Sequence, residues 1–514
     1  MRAVLLVLAF GLSAVPAMAQ TPRARIETIL TTDTEQAVIN GGVLAVVDGR
    51  VVYRGAAGFA DFATGRRVRA DDVFQVASIA KPFTSTAVLQ LRDRGLLRLD
   101  DRVSQHVDGF PFEAITIRHL LTHTSGLPDL ELFEAMIAAD PDHVVSGDDL
   151  VPALRAWTQP LAFEAGAQFR YSNTNYQLLA LIVSRVSGEP FGVYVRDHIF
   201  RSAGMQHSYV LGTSALSRTR APVLNQSFAT MFAEVPEDVR NISVNDPRMM
   251  RRLRYETFNL GSTLGDQNLF TTLDDLRRFD AAFRAGRVLS LTSQAEAYAP
   301  VRLNDGTEYR ESEIYVAYGV PCSYGMGWET CVHPRFGRLV GHAGYNRGIS
   351  TMFYRNLDRG QMIAAFDDAD YGDFAQKTVS IANALNGEAP VAFSRTRSLT
   401  RAYGRVLVRD GSEAARAFFD AHRADTEAWT YTPRGMNQLG YDLLRNGHES
   451  LALAPFRLNV ALNPEQAGYW DSLGEGLAAN GMNAEAISAY RRSLQLNPDN
   501  ESGRAALERL EPAH

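Results

Sequence analysis

The C-terminal stretch repeats itself at a fixed offset of 34 residues, and that spacing limits the fold more than any other feature. Asn463-Pro464 recurs as Asn497-Pro498, Leu439-Gly440 as Leu473-Gly474, Asn446-Gly447 as Asn480-Gly481, and Ala452 as Ala486, with Phe456 matched by Tyr490. Periods of about 20–50 residues mark stacked supersecondary units, each burying its apolar side only against a neighbour. Residues 390–514 are therefore expected to form a unit of their own, clearest over 435–500. Gly387-Glu388-Ala389-Pro390 is the expected boundary. Two copies fall short of the three that such stacks usually need. Two alternatives stand: the helical-looking stretch Ser398 to His422 adds a degenerate partner, or the stack leans on the upstream domain.

Upstream the pattern is mixed. Val43 to Val47 and Val51 to Tyr53 flank Asp48-Gly49, which predicts a hairpin. Helices are expected over about Ser78 to Arg94, with Pro82 in the first turn and Gly95 at the stop, and over about Asn175 to Val186, with Gly188 just beyond. Glycine-rich strands return near Tyr324 to Phe353, and a last helix is expected over 375 to 386. Strand, helices, then strands predict an α+β layered domain. Leu130 to Pro160 and Val210 to Asn259 read as loops that shape a cleft.

The first residues carry the marks of an export leader. Arg2 is basic, Val4 to Leu12 are apolar, and Ala17-Met18-Ala19 is a small-x-small cleavage site before Gln20. The expected leader is 1–19, and the mature protein is expected in the periplasm or secreted. No apolar run reaches the roughly 20 residues of a membrane span. The net charge of −6, without a basic stripe, argues against nucleic acid. Cys322 and Cys331 are the only cysteines. They either close a small loop or remain two thiols.

Lysine usage singles out one position. Of 52 Lys plus Arg residues, only Lys81 and Lys377 are lysine. Lysine can be driven to a neutral amine by its surroundings, whereas arginine stays charged. Lys81 follows Ser78 by three residues, so both project from one helical face, and a neutral amine there can take the proton that keeps a serine hydroxyl weakly nucleophilic. Tyr171-Ser172-Asn173 precedes the second helix, where a phenol can relay protons and an amide can hold a substrate. Gly341-His342-Ala343-Gly344 lies among strands, where glycine admits close approach of a ligand backbone. Each motif alone is weak. His119 and His123 are four apart, but no glutamate follows His119, so the metalloprotease pattern fails; they are read as histidines supporting the cleft. No metal and no cofactor is expected.

Taken together, Ser78-x-x-Lys81, Tyr171-x-Asn173 and His342-x-Gly344 resemble the serine β-lactamase and penicillin-binding-protein superfamily, in its class C β-lactamase-like branch. The flanks Phe74 to Ala77, Ile117 to Leu127, Phe169 to Asn173 and Tyr324 to Trp328 carry the same resemblance, over residues 25–387. It implies an antiparallel sheet flanked by helices, with a helical subdomain. It implies Ser78 as nucleophile, Lys81 and Tyr171 sharing proton transfer, Asn173 orienting substrate, and His342 on the far wall of the cleft. An oxyanion hole is implied at the backbone N–H groups of Ser78 and Tyr345, beside Gly344. Class C β-lactamases usually have lysine where this chain has His342. The expected activity is therefore that of a D,D-peptidase, D-amino-acid peptidase or esterase on a small peptide, amide or ester, with weak or no β-lactam hydrolysis. The tail resembles tetratricopeptide repeats, with Trp470, Leu473, Gly474, Ala486, Tyr490 and Pro498 in the pattern, which implies an all-α tail and a protein partner. The alternative is a non-catalytic or penicillin-binding scaffold whose tail recruits that partner.

Overall fold

The structure, a computed structural model, describes residues 21–511 except 32–37, 63, 212–231, 235–236, 238–254, 311–315, 318–319, 347 and 370–371. The expected leader and most of Val210 to Asn259 lie outside the described residues. Asp48 and Gly49 both take positive φ, +48° and +78°, the turn whose twist suits a tight hairpin. They join β1 (Gly41–Val47) to β2 (Arg50–Ala57). The remaining strands of the main sheet come late in the chain: β3 (Val316–Ala317), β4 (Val320–Tyr324), β5 (Glu329–His333), β6 (Gly337–Asn346), β7 (Ile349–Asn356) and β8 (Gln361–Asp367). Their order is β2-β1-β8-β7-β6-β5-β4-β3, with every neighbour antiparallel. The first hairpin thus closes against the last strand, which ties the two ends of the domain together. Cys322 and Cys331 pair across β4 and β5 and form a disulfide, deciding the alternative left open by the sequence.

Helices cover both faces. α1 (Pro22–Leu30) is followed by α2 (Ala80–Asp93), α3 (Asn173–Ser187), α4 (Leu273–Arg284), α5 (Leu291–Ala297) and α6 (Phe374–Asn386). Ile26 of α1 and Ile381 of α6 pack with Leu339 and Ile363 on one face. On the other, Phe83 of α2, Leu178 of α3 and Phe279 of α4 share a core with Phe353 and Phe366 of the sheet. α3 starts two residues before the expected Asn175, because Asp129 accepts the Asn173 N–H at 2.6 Å in place of a local cap. It stops at Gly188 in the left-handed conformation, φ +76°. Leu130 to Pro160 is more ordered than the loop expected there. It holds helices Glu134–Ala139 and Gly147–Ala156, the second started by a Ser146–Asp149 capping box.

Beyond Gly387 the chain is helical: α7 (Leu399–Asp410), α8 (Ser412–His422), α9 (Pro433–Arg445), α10 (Glu449–Leu462), α11 (Ala467–Ala479), α12 (Asn483–Leu496) and α13 (Glu501–Leu510). They bury a core of their own that includes Leu443, Phe456, Leu473 and Tyr490. A Cβ added at Gly440 would stand 2.4 Å from the Phe456 ring, and one at Gly474 would stand 2.9 Å from Tyr490. The 34-residue offset is therefore one close contact made twice, a helix crossing at which only glycine fits.

Candidate active site

Ser78 is presented by a strained turn. Phe74–Gln75 pairs with Leu269–Thr271, and the Val76 N–H donates to Leu269 O at 3.0 Å. Ala77 then takes φ +45°, a conformation that costs a non-glycine residue about 1–3 kcal/mol and persists only where its surroundings enforce it. Here Val76 O is held by Thr351 Oγ1 at 3.0 Å and by the Ile79 N–H at 3.1 Å. A 3-10 turn over Ala77–Ile79 leads into α2, so Ser78 sits one turn before the helix instead of within it. β6 passes close by. A Cβ on Gly344 would lie 2.7 Å from Val76 O and 3.1 Å from Ser78 N, so the backbone reaches the serine only because this residue has no side chain.

Lys81 is fully enclosed. Its Nζ donates to Ser78 Oγ at 3.0 Å, Asn173 Oδ1 at 2.8 Å and Asp266 O at 3.1 Å. Burial lowers its pKa to about 8, opposed by the carboxyl groups of Asp266, Asp129 and Glu329. At pH 7 about one part in ten is then the neutral amine. The Tyr171 ring lies 4.7 Å from Nζ and stacks on His123 at 4.2 Å. The structure thus brings Ser78, Lys81, Tyr171 and Asn173 together around one nitrogen.

Asn173 is aimed by Asp129, which takes its side-chain amide at 3.3 Å while Oδ1 faces Lys81. His123 takes positive φ, +56°, and is held neutral by burial. Its Nδ1 accepts from the Ser172 N–H at 3.2 Å and faces Asn175 Nδ2 at 3.1 Å, which puts the ring proton on Nε2. His119 turns away to other work, its Nδ1 accepting from the Thr116 N–H at 3.2 Å in a capping box. Among the described residues no group of three or more His, Cys, Asp or Glu is placed to hold a metal ion.

The resemblance places His342 on the far wall of the cleft; in the structure its ring is enclosed, 1% exposed. Nε2 faces Tyr324 Oη at 3.0 Å, and Nδ1 faces Glu329 Oε1 at 3.3 Å. Both nitrogens are therefore engaged by protein, and the ring centroid lies 6.2 Å from that of Tyr171. Burial, then Lys81, push its pKa down to about 3, so no permanent cation stands at this position. Glu329 also accepts from the Ala343 N–H at 3.1 Å and from the Tyr354 hydroxyl, and burial raises its pKa to about 8. The Tyr345 side chain is exposed beyond the buried Gly344.

Sequence reasoning missed Asp129, Asp266 and Glu329, the three carboxyl groups that surround Lys81. No local motif could have found them, because each comes from a different segment. Tyr324 lies within a flank already noted, without a role, whereas the sequence reads His123 as a histidine supporting the cleft, and its contacts with Ser172, Asn175 and Tyr171 are of that kind.

The sequence model of a family described as Beta-lactamase matches residues 24–386. Penicillin-binding protein 4* of Bacillus subtilis is 32% identical over 342 residues, which cover 66% of this chain and 70% of that protein. A penicillin-binding protein from Bacillus halodurans aligns in structure with a TM-score of 0.55 at 23% identity, covering 72% of this chain and 100% of that one. A D-amino acid amidase from Ochrobactrum anthropi, solved with D-phenylalanine, aligns with a TM-score of 0.54 at 22% identity, covering 71% and 99%.

Proposed function

Since this chain belongs to the β-lactamase family, we propose that it is a serine hydrolase working through an acyl-enzyme on Ser78. The observation that carries the reading is the contact of 3.0 Å between the buried Lys81 Nζ and Ser78 Oγ. In its neutral form Lys81 takes the Ser78 hydroxyl proton while Oγ bonds to the substrate's carbonyl carbon. The developing oxyanion meets the N–H groups of Ser78 and Tyr345. Tyr171, whose ring lies 4.7 Å from Nζ, passes the proton to the leaving amine or alcohol. Water then attacks the acyl carbon, gives its proton back along the same path, and releases the acid and free Ser78. Asn173 orients the substrate from the position that Asp129 fixes.

The substrates we propose are amides, peptides with D-residues, or short esters. The neutral, enclosed His342 supports this reading, because a β-lactam carboxylate finds no fixed cation there. The names of similar proteins, penicillin-binding protein and D-amino acid amidase, agree in chemistry. We also propose export by the leader 1–19 and a tetratricopeptide-like role in partner binding for the tail. Labelling with a fluorophosphonate and with a fluorescent penicillin tests the core of the reading. Wild-type protein should label, and Ser78→Ala should not. No label from either reagent, together with no turnover of D-amides or esters, would sink it.

A further inference from the structure

A groove of about 720 Å³ opens between the main sheet and α5, and none of the residues lining it belongs to the group around Lys81. Strand register sets its sheet side. Thr330, Val340 and Arg355 stand in one cross-strand row on β5, β6 and β7, and Val332 faces Arg338 in a neighbouring row. Arg284, the last residue of α4, and Tyr298, which follows α5, also line it.

The charges of this groove do not balance. Arg355 is 1% exposed. Its Nε donates to Asp280 Oδ1 at 2.7 Å, and its Nη1 donates to the Tyr298 hydroxyl. Arg284 Nε donates to the other oxygen of the same carboxylate at 2.9 Å, and its Nη2 donates to Gln361 O at 2.8 Å. Two guanidinium groups thus share one carboxylate, and one positive charge is left over. Arg338 adds none, because Asp358 takes it at 2.7 Å. Neither Arg355 Nη2 nor Arg284 Nη1 has a hydrogen-bond partner among the described residues. An enclosed cation without a matching charge is costly, so the groove favours an anion.

The rest of the lining is mostly aliphatic and includes Leu291, Ala295, Pro300, Val332, Val340 and Leu357. Leu291 and Val332 are 62% and 71% exposed, so apolar side chains also frame the opening. A few polar groups on an apolar wall of this volume are the marks of a small-molecule site. β5, β6 and β7 each lie between two neighbours in the sheet, so the groove offers no open strand edge to a peptide. We propose that it binds an alkyl carboxylate, a free fatty-acid-like anion, with its head on Arg355 and Arg284 and its chain along the aliphatic wall. The proposal stands apart from the Ser78 acyl-enzyme reading and does not depend on it.

The experiment is a calorimetric titration of the full chain with decanoate, kept below the concentration at which it forms micelles. One decanoate should bind per chain. Arg355→Met removes the cation, and Val332→Glu sets a like charge at the opening; each should weaken binding by about tenfold or more. Decanol, with the same chain and no charge, should bind about tenfold more weakly than decanoate or worse. Absence of binding to wild-type protein overturns the proposal. So does binding that survives both substitutions, which would put the anion elsewhere, in the hydrolase cleft included. Decanol binding as tightly as decanoate also overturns it. Should Arg355→Met fail to fold, Val332→Glu, at a position already open to solvent, and the decanol comparison decide.

Discussion

Asp129 grips Asn173 twice, taking its backbone N–H at 2.6 Å on one oxygen and its side-chain amide at 3.3 Å on the other. The first contact starts α3, and the second turns the amide oxygen toward Lys81. One half-buried carboxyl group therefore sets both the beginning of a helix and the aim of a proposed substrate ligand.

Asp129→Asn replaces one acceptor oxygen with a donor that must face another donor. Stability should fall by about 1–3 kcal/mol, the cost of leaving a buried polar group unmatched. Turnover of an ester should drop by about tenfold or more as Asn173 turns away from Lys81. Urea unfolding and steady-state kinetics measure the two effects separately.

The base predicts a pH profile. Lys81 must be neutral to take the serine proton, and its pKa of about 8 lies below the ordinary 10.5. kcat/KM should climb as pH rises toward 8 and level off above it. A profile already flat below pH 7 would show that a group other than Lys81 limits the reaction.

Glu329 predicts a pH dependence of stability with its own sign. Its folded pKa is raised, from 4.5 to about 8, so the folded protein holds that proton more tightly than the unfolded chain. Its contribution is fully present below about pH 4.5 and is lost as pH rises through 8. Glu329→Gln removes this titration while keeping the shape. Thermal melts of wild type and variant across that window should diverge least at pH 4.5 and most near pH 8 and above.

Gly344→Ala brings a methyl group to 2.3 Å from Thr351 Oγ1 and 3.1 Å from Ser78 N. Overpacking of this kind costs about 1–3 kcal/mol, and here the displaced groups are those that hold the serine turn. Fluorophosphonate labelling should fall far more than the melting temperature suggests. Labelling at the wild-type rate would refute the close approach of β6.

The Cys322–Cys331 bridge closes a short loop, with a sequence separation of 9. Replacing both cysteines with alanine should cost about 2–3 kcal/mol by loop entropy. The same hairpin carries Tyr324 and Glu329, so the double variant should also slow turnover. Reducing agent should reproduce the effect in wild type and leave the variant unmoved.

What the sequence makes legible follows from spacing. Ser78 and Lys81 sit within one turn, Asp48-Gly49 demands its hairpin, and the 34-residue offset marks a repeated contact. Such features depend on neighbours along the chain. The enclosure of His342 depends on Tyr324 and Glu329 in adjacent strands, and the pKa of Lys81 depends on carboxyl groups from three remote segments. The motif says only that surroundings can make the lysine neutral; in the structure the largest cause is complete burial. Local pattern names the reacting groups, and long-range packing sets their charge.

Because Lys81 is enclosed among protein atoms, the small ions of the medium have no surface of it to touch, although its partners Ser78 and Asn173 are part-exposed. Ionic strength screens exposed charges over about 8 Å at physiological salt, yet that screening operates in water and not inside a closed wall. Salt can therefore alter how a charged substrate approaches this protein more than it alters the charge on the enclosed Lys81.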